Sequence, residues 1–133
     1  EDVTAEKLGQ FYPAGWEEEA LGNRAFSHLQ IPGHQKASTS QYYAFGQVEL
    51  IYFAKQDSVY DKRVDKLKAG DKKFEDVEIN GFPAVVFTKK RAIADVGGEI
   101  LVYFECYTCE SREDLMARFQ EIDLASIQGL LER

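Results

Sequence analysis

Only two cysteines, one methionine, one tryptophan, three prolines and two histidines occur in the 133 residues. Cysteine this sparse excludes a multi-disulfide scaffold, and a chain of this length can bury a core without one. Neither His28 nor His34 has a second histidine or a cysteine at ligand spacing, which disfavours zinc or copper held by a sequence motif. No apolar run approaches the roughly 20 residues of a membrane-spanning helix. Positive charge is also short: 16 Lys and Arg against 23 Asp and Glu leave a net charge of −7, with the cations mostly interleaved among acids, as around Asp61–Lys66. Counterion release on nucleic acid needs clustered cations, and anionic lipid repels an acidic chain, so neither is expected as a partner. The one basic cluster, Lys89-Lys90-Arg91, reads as a solvated turn between strands.

Motifs of chemistry are missing too. Nucleophile-elbow, P-loop, dinucleotide and EF-hand patterns are absent, and Gly97-Gly98 lacks the third glycine of a phosphate loop. The acid pairs Glu75-Asp76 and Glu113-Asp114 are adjacent, so their carboxylates diverge. No catalytic residue, cofactor or metal is expected.

Apolar residues make up 44% and aromatics 13%, a globular balance best read as a single domain spanning 1–133. The pattern begins with Thr4 as an N-cap and Leu8, Phe11 and Tyr12 at helical spacing up to Pro13, then an irregular or short helical piece over Ala14–Glu19, closed by Gly22-Asn23. A strand is expected over Phe26–Ile31, broken by Pro32-Gly33, and a loop over Lys36–Ser40. Gln41–Gln56, rich in aromatic and β-branched residues, reads as one strand with a bulge at Gly46. Asp57 caps a helix over Ser58–Ala69 whose Tyr60, Val64 and Leu67 share a stripe. Asn80-Gly81 is a type I′ hairpin pair between strands, Lys89–Asp95 a polar connection or a strand extension, and Val96-Gly97-Gly98 a turn into a strand over Glu99–Tyr107. Ser111 with Asp114 has capping-box spacing and starts a helix carrying Leu115, Phe119 and Ile122. The order is α-β-β-α-β-β-β-α, an α+β class with an antiparallel sheet flanked by helices.

Two groups of residues are candidates for function. Cys106 and Cys109, in Cys-Tyr-Thr-Cys between a strand and a helix start, are either a dithiol redox pair or a local structural disulfide. Ile100–Cys109 superficially resembles the thioredoxin active-site strand and Gly81-Phe-Pro83 that family's cis-proline loop, but the order is inverted and too little chain follows Cys109 to complete such a sheet. Trp16, Tyr42, Tyr43, Tyr52 and Tyr60 could line an aromatic surface for a protein partner or small ligand, or could fill a sheet covered on both faces. Paired cysteines favour an exported compartment, periplasmic or secreted, with cytoplasmic as the alternative; the start at Glu1 fits either a removed export signal or a trimmed chain.

Phe11-Tyr-Pro-Ala-Gly-Trp16, Val77-Glu-Ile-Asn-Gly-Phe-Pro-Ala84 and the final strand with its helix resemble the Mog1/PsbP-like group. The resemblance implies an α/β/α sandwich used as a binding or assembly module with diverse partners, generally without catalysis. The group usually has a strand where this chain reads as helix before Pro13, and a cysteine pair is not among its signatures. The leading expectation is a small exported, non-enzymatic binding or assembly module; a thiol-disulfide redox module and an architectural subunit are the alternatives.

Overall fold

Residues 3–28, 35–53, 59–88 and 90–132 are described by the computed structural model. The chain opens with a single helical turn, α1 (Ala5–Leu8), begun by Thr4, whose hydroxyl accepts from the Lys7 amide. Two 3-10 segments, Gly9–Phe11 and Ala14–Glu19, follow on either side of Pro13. Next come β1 (Ala20–Ser27), β2 (Gln35–Tyr43) and β3 (Gly46–Phe53), then α2 (Val59–Gly70). Four more strands, β4 (Glu75–Ile79), β5 (Phe82–Phe87), β6 (Arg91–Val96) and β7 (Ile100–Cys106), lead to α3 (Arg112–Phe119) and α4 (Leu124–Gly129).

The seven strands form one sheet in the order β1-β2-β3-β7-β6-β5-β4, every neighbouring pair antiparallel. Two meanders, β1 to β3 and β4 to β7, meet where β3 lies beside β7, from Gly46 opposite Cys106 to Tyr52 opposite Ile100. Alternating side chains give this sheet two apolar faces. One presents Val48, Leu50, Val86, Ala94, Val102 and Phe104 to Leu8 of α1, Trp16 of the second 3-10 segment, and Leu115, Phe119, Leu124 and Ile127 of α3 and α4. The other presents Ile51, Phe53, Val85, Phe87, Ile93, Leu101 and Tyr103 to Val64 and Leu67 of α2. The protein is therefore mixed α+β, with an antiparallel sheet carrying helices on both faces.

Several boundaries differ from those the sequence suggests, each for a local reason. Gln41–Gln56 is not one strand: β2 starts at Gln35, taking in the polar stretch read as a loop, and turns at Ala44-Phe45 into β3. Phe45 is buried in that turn, so hydrophobicity never dips to mark it. Gly22-Asn23 does not close an element but lies inside β1, where the register with β2 shifts between Leu21 and Ala25. Arg91–Val96 is a full strand, which gives four strands after α2 instead of three and, with β1 to β3, three before it instead of two. The C-terminal helix is two helices, because Asp123 caps a new start by accepting from the Ser126 amide at 3.1 Å. Leu29–His34, the Asp57 cap and Lys89 lie outside the described residues.

Other local signals hold as read. Asn80 and Gly81 both have positive φ, 51° and 87°, as a type I′ turn requires. The Ser111 hydroxyl accepts from the Asp114 amide at 3.1 Å and starts α3. The α2 helix falls within a residue of the expected span.

Candidate functional site

Period-2 alternation separates the tyrosines. Tyr43 points to the face closed by α1, α3 and α4 and is buried, whereas its neighbour Tyr42 points the other way and is 55% exposed. Tyr42 lies opposite Leu21 of β1 and Gln47 of β3, Gln47 lies opposite Glu105 of β7, and Glu105 lies opposite Arg91 of β6. Residues directly opposite in antiparallel strands share a face, so Leu21, Tyr42, Gln47, Glu105 and Arg91 form one row across five strands. Leu21 is 56% exposed, and Tyr107, just past β7 and anchored by its amide to the Phe45 carbonyl at 2.6 Å, is 50% exposed. This is the α2 face of the sheet at the end where, among the described residues, α2 contributes no buried contact to β1 or β2.

Towards α2 the row becomes polar and ordered. Gln47 donates to Glu105 at 3.0 Å and the Tyr103 hydroxyl donates to the same carboxylate oxygen at 3.2 Å. Burial, and next the Glu105 charge, push the Tyr103 phenol up to about 12. Arg63 of α2 pairs with Glu49 at 3.0 Å and sits 5.3 Å from the Tyr103 ring centroid. The exposed apolar patch is thus backed by a fixed hydrogen-bonded edge.

The other aromatic candidates belong to the core. Trp16, 2% exposed, meets Tyr43 edge-on at 5.6 Å and Phe45 edge-on at 5.1 Å, stacks near Phe104 at 5.8 Å, and donates its indole N–H to Glu121 at 3.1 Å. Arg118 of α3 lies 4.0 Å from the Phe45 centroid, closing the cluster. Tyr52 is buried beneath the same helices, with the Lys36 ammonium 5.6 Å from its ring. Trp16, Tyr43 and Tyr52 are therefore removed from any accessible surface by the packing they provide, and among the described side chains of the set Tyr42 faces solvent. Of Tyr60 only the backbone, in α2, falls within the described residues.

Cys106 and Cys109 are joined as a disulfide with their Cα atoms 5.5 Å apart. Cys106 is fully buried at the end of β7; Cys109 is 7% exposed and borders a shallow cavity of about 210 Å³ with Lys90 and Arg112. Cys109 precedes the Ser111 cap, so it lies outside the first turn of α3, and that turn already carries Glu113 and Asp114. Carboxylates there offset the helix-end potential that would otherwise favour a thiolate. The Arg112 guanidinium is held away by Glu75 at 2.9 Å and the Lys73 carbonyl at 2.6 Å. The bridge fixes the turn that presents Tyr107.

Among the described residues no group of three or more His, Cys, Asp or Glu side chains is placed to hold a metal ion, and no helix is long and apolar enough to cross a membrane. His28 contacts Glu6 at 3.1 Å on the surface, and His34 lies outside the described residues. Leu21 and Tyr107 escape sequence reasoning because their adjacency to Tyr42 is made by strand pairing; the alternation of Tyr42 with Tyr43 is the one local signal of the exposed face. In comparisons with known proteins the chain matches no family model, and no curated protein or solved structure matches it.

Proposed function

We propose that this chain is a small exported, non-enzymatic binding or assembly module whose contact surface is the open end of the α2 face, centred on Tyr42 with Leu21 and Tyr107 around it. The observation that carries the reading is the juxtaposition of three large side chains, each half or more exposed, on a hydrogen-bonded sheet floor. Exposed aromatics on a rigid base are the usual anchors of protein interfaces, because their burial gains much area at little conformational cost. A protein partner fits this exposed patch better than a small ligand, which would need a cavity. The resemblance to the Mog1/PsbP-like group supports the same kind of role, and the closed Cys106–Cys109 bridge supports a periplasmic or secreted location over the cytoplasmic alternative.

A photo-crosslinking residue at position 42 tests this in a secreted or periplasmic extract of the source cell. A discrete adduct at 42, absent when the same residue replaces Glu78 on the far edge strand, is the expected result. Equal labelling at both positions, or none at 42, refutes the assigned surface. The redox alternative rests on the cavity beside Cys109 and predicts reversible opening of the bridge by glutathione with one sulfur reacting first.

A further inference from the structure

Cations are outnumbered in this chain, yet three of them surround one cleft. Arg63, Lys66, Leu67 and Gly70 follow one another along a single stripe of α2, and Arg91 rises from the start of β6 beneath them to close a cavity of about 490 Å³. That volume is in the range of small-molecule sites, and among the described residues no carboxylate lines it.

Arg91 bears on the Tyr103 phenol beside it, a neutral group that leaves the guanidinium charge unbalanced. Its cross-strand partner Glu105 directs one oxygen to Gln47 and Tyr103, and among the described residues neither Arg91 nor Lys66 is in an ion pair. The Arg91 Nε is inaccessible to solvent and has no hydrogen-bond partner. A buried donor without an acceptor carries the full cost of its desolvation, and a guanidinium carries more. An anion seated in the cleft would offset part of that cost through the charge of the Arg91 guanidinium, which lines the cleft although its Nε is not reached from solvent. Arg63, one of whose nitrogens is already engaged by Glu49, and the exposed Lys66 would supply further charge from the helix side. Leu67 supplies an apolar wall.

We infer that the cleft between α2 and the start of β6 is a binding site for a small organic anion, a carboxylate or phosphate monoester with an apolar body. The site is separate from the Tyr42 surface and depends on different residues.

Calorimetric titration of the full chain at fixed ionic strength, with benzoate, phenyl phosphate, inorganic phosphate and neutral benzyl alcohol, tests it. Saturable binding of benzoate or phenyl phosphate is expected, and whichever binds more tightly identifies the acid group. Lys66→Gln and Arg91→Gln should each weaken that binding about tenfold or more, and Tyr42→Ser should leave it unchanged. Because Arg91 is partly buried, Lys66→Glu on the exposed side of α2 provides a variant that folds and reverses one charge; it should abolish binding. The inference is overturned if neither organic anion binds, if benzyl alcohol or inorganic phosphate binds as tightly as the better organic anion, or if Lys66→Glu leaves the titration unchanged.

Discussion

The two faces of the sheet are made from the same strands and end differently. On one, α1, two 3-10 segments, α3 and α4 converge, and the aromatic residues Trp16, Tyr43, Phe45, Phe104 and Phe119 stack into a single cluster. On the other, among the described residues, a single helix does the covering. An α-helix with its side chains is about 10–12 Å across, and strands repeat every 4.8 Å or so, so one helix cannot roof seven of them. The α2 helix closes over β3, β7, β6 and β5 and leaves the β1–β2 end, with Leu21 and Tyr42, in solvent. An abundance of tyrosines therefore does not locate a surface; the width of what packs above them does.

This contrast can be broken most forcefully on the covered side. Phe104→Ala, in the centre of the aromatic cluster, should cost about 3–5 kcal/mol in urea unfolding, whereas a loss under 1 kcal/mol would mean the cluster is not the core. Gly46→Ala comes next. A Cβ there would sit 1.9 Å from the Glu105 carbonyl oxygen, which is backbone and cannot swing aside. Prising β3 from β7 at this point should lower stability by about 2–3 kcal/mol, the scale of an overpacked core, and an unchanged urea midpoint would contradict the tight β3–β7 contact. Replacing Cys106 and Cys109 together by serine opens only a very short loop, for which chain entropy gives about 2 kcal/mol; the same urea titration measures it.

A pH titration sharpens the comparison from within. Burial pushes Tyr43 on the covered face and Tyr103 beneath α2 up to about 12, against roughly 10 for an unfolded tyrosine. The unfolded chain then releases these protons first, so the stabilisation is complete below pH 10 and falls as pH rises towards 12. Tyr43→Phe should flatten that fall. An unaltered alkaline limb in the Phe variant would show that Tyr43 does not titrate late. The smallest stability effect is reserved for the open end: Tyr42→Ser should change unfolding by less than about 0.5 kcal/mol while abolishing capture of a partner from the neighbouring Leu21 position.

Local chemistry was legible where a side chain or a turn acts on its own neighbours. The Asn80-Gly81 hairpin, the Ser111 cap, the α2 stripe and the strand running into Cys106 all declare themselves within a few residues. Signals failed where burial contradicted them. Phe45 occupies a turn yet is core, so β2 and β3 read as one strand; Ala92 and Ala94 are fully buried but too small to announce β6. The candidate surface was half legible for the same reason. Tyr42 stands out in sequence, but its neighbours are set by pairing: Leu21 reaches it from β1, and Tyr107 arrives only because β7 inserts next to β3. Arg91 was read as part of a solvated turn, and only the register of β6 puts it under α2.

The seam between β3 and β7 also dictates how the chain must find its shape. Every other strand pairing joins consecutive strands, which can zip from a nearby turn in about 1–10 μs for a simple hairpin. Setting Gly46 against Cys106, in contrast, waits until α2 and the whole second meander have been accommodated between them. Closing so large a loop is an entropic barrier before any contact rewards it. Folding should then proceed as two quickly formed ribbons whose docking sets the rate, with substitutions in the hairpin turns, made before that step, slowing the approach to the native state and barely changing its loss, and substitutions along the seam affecting both.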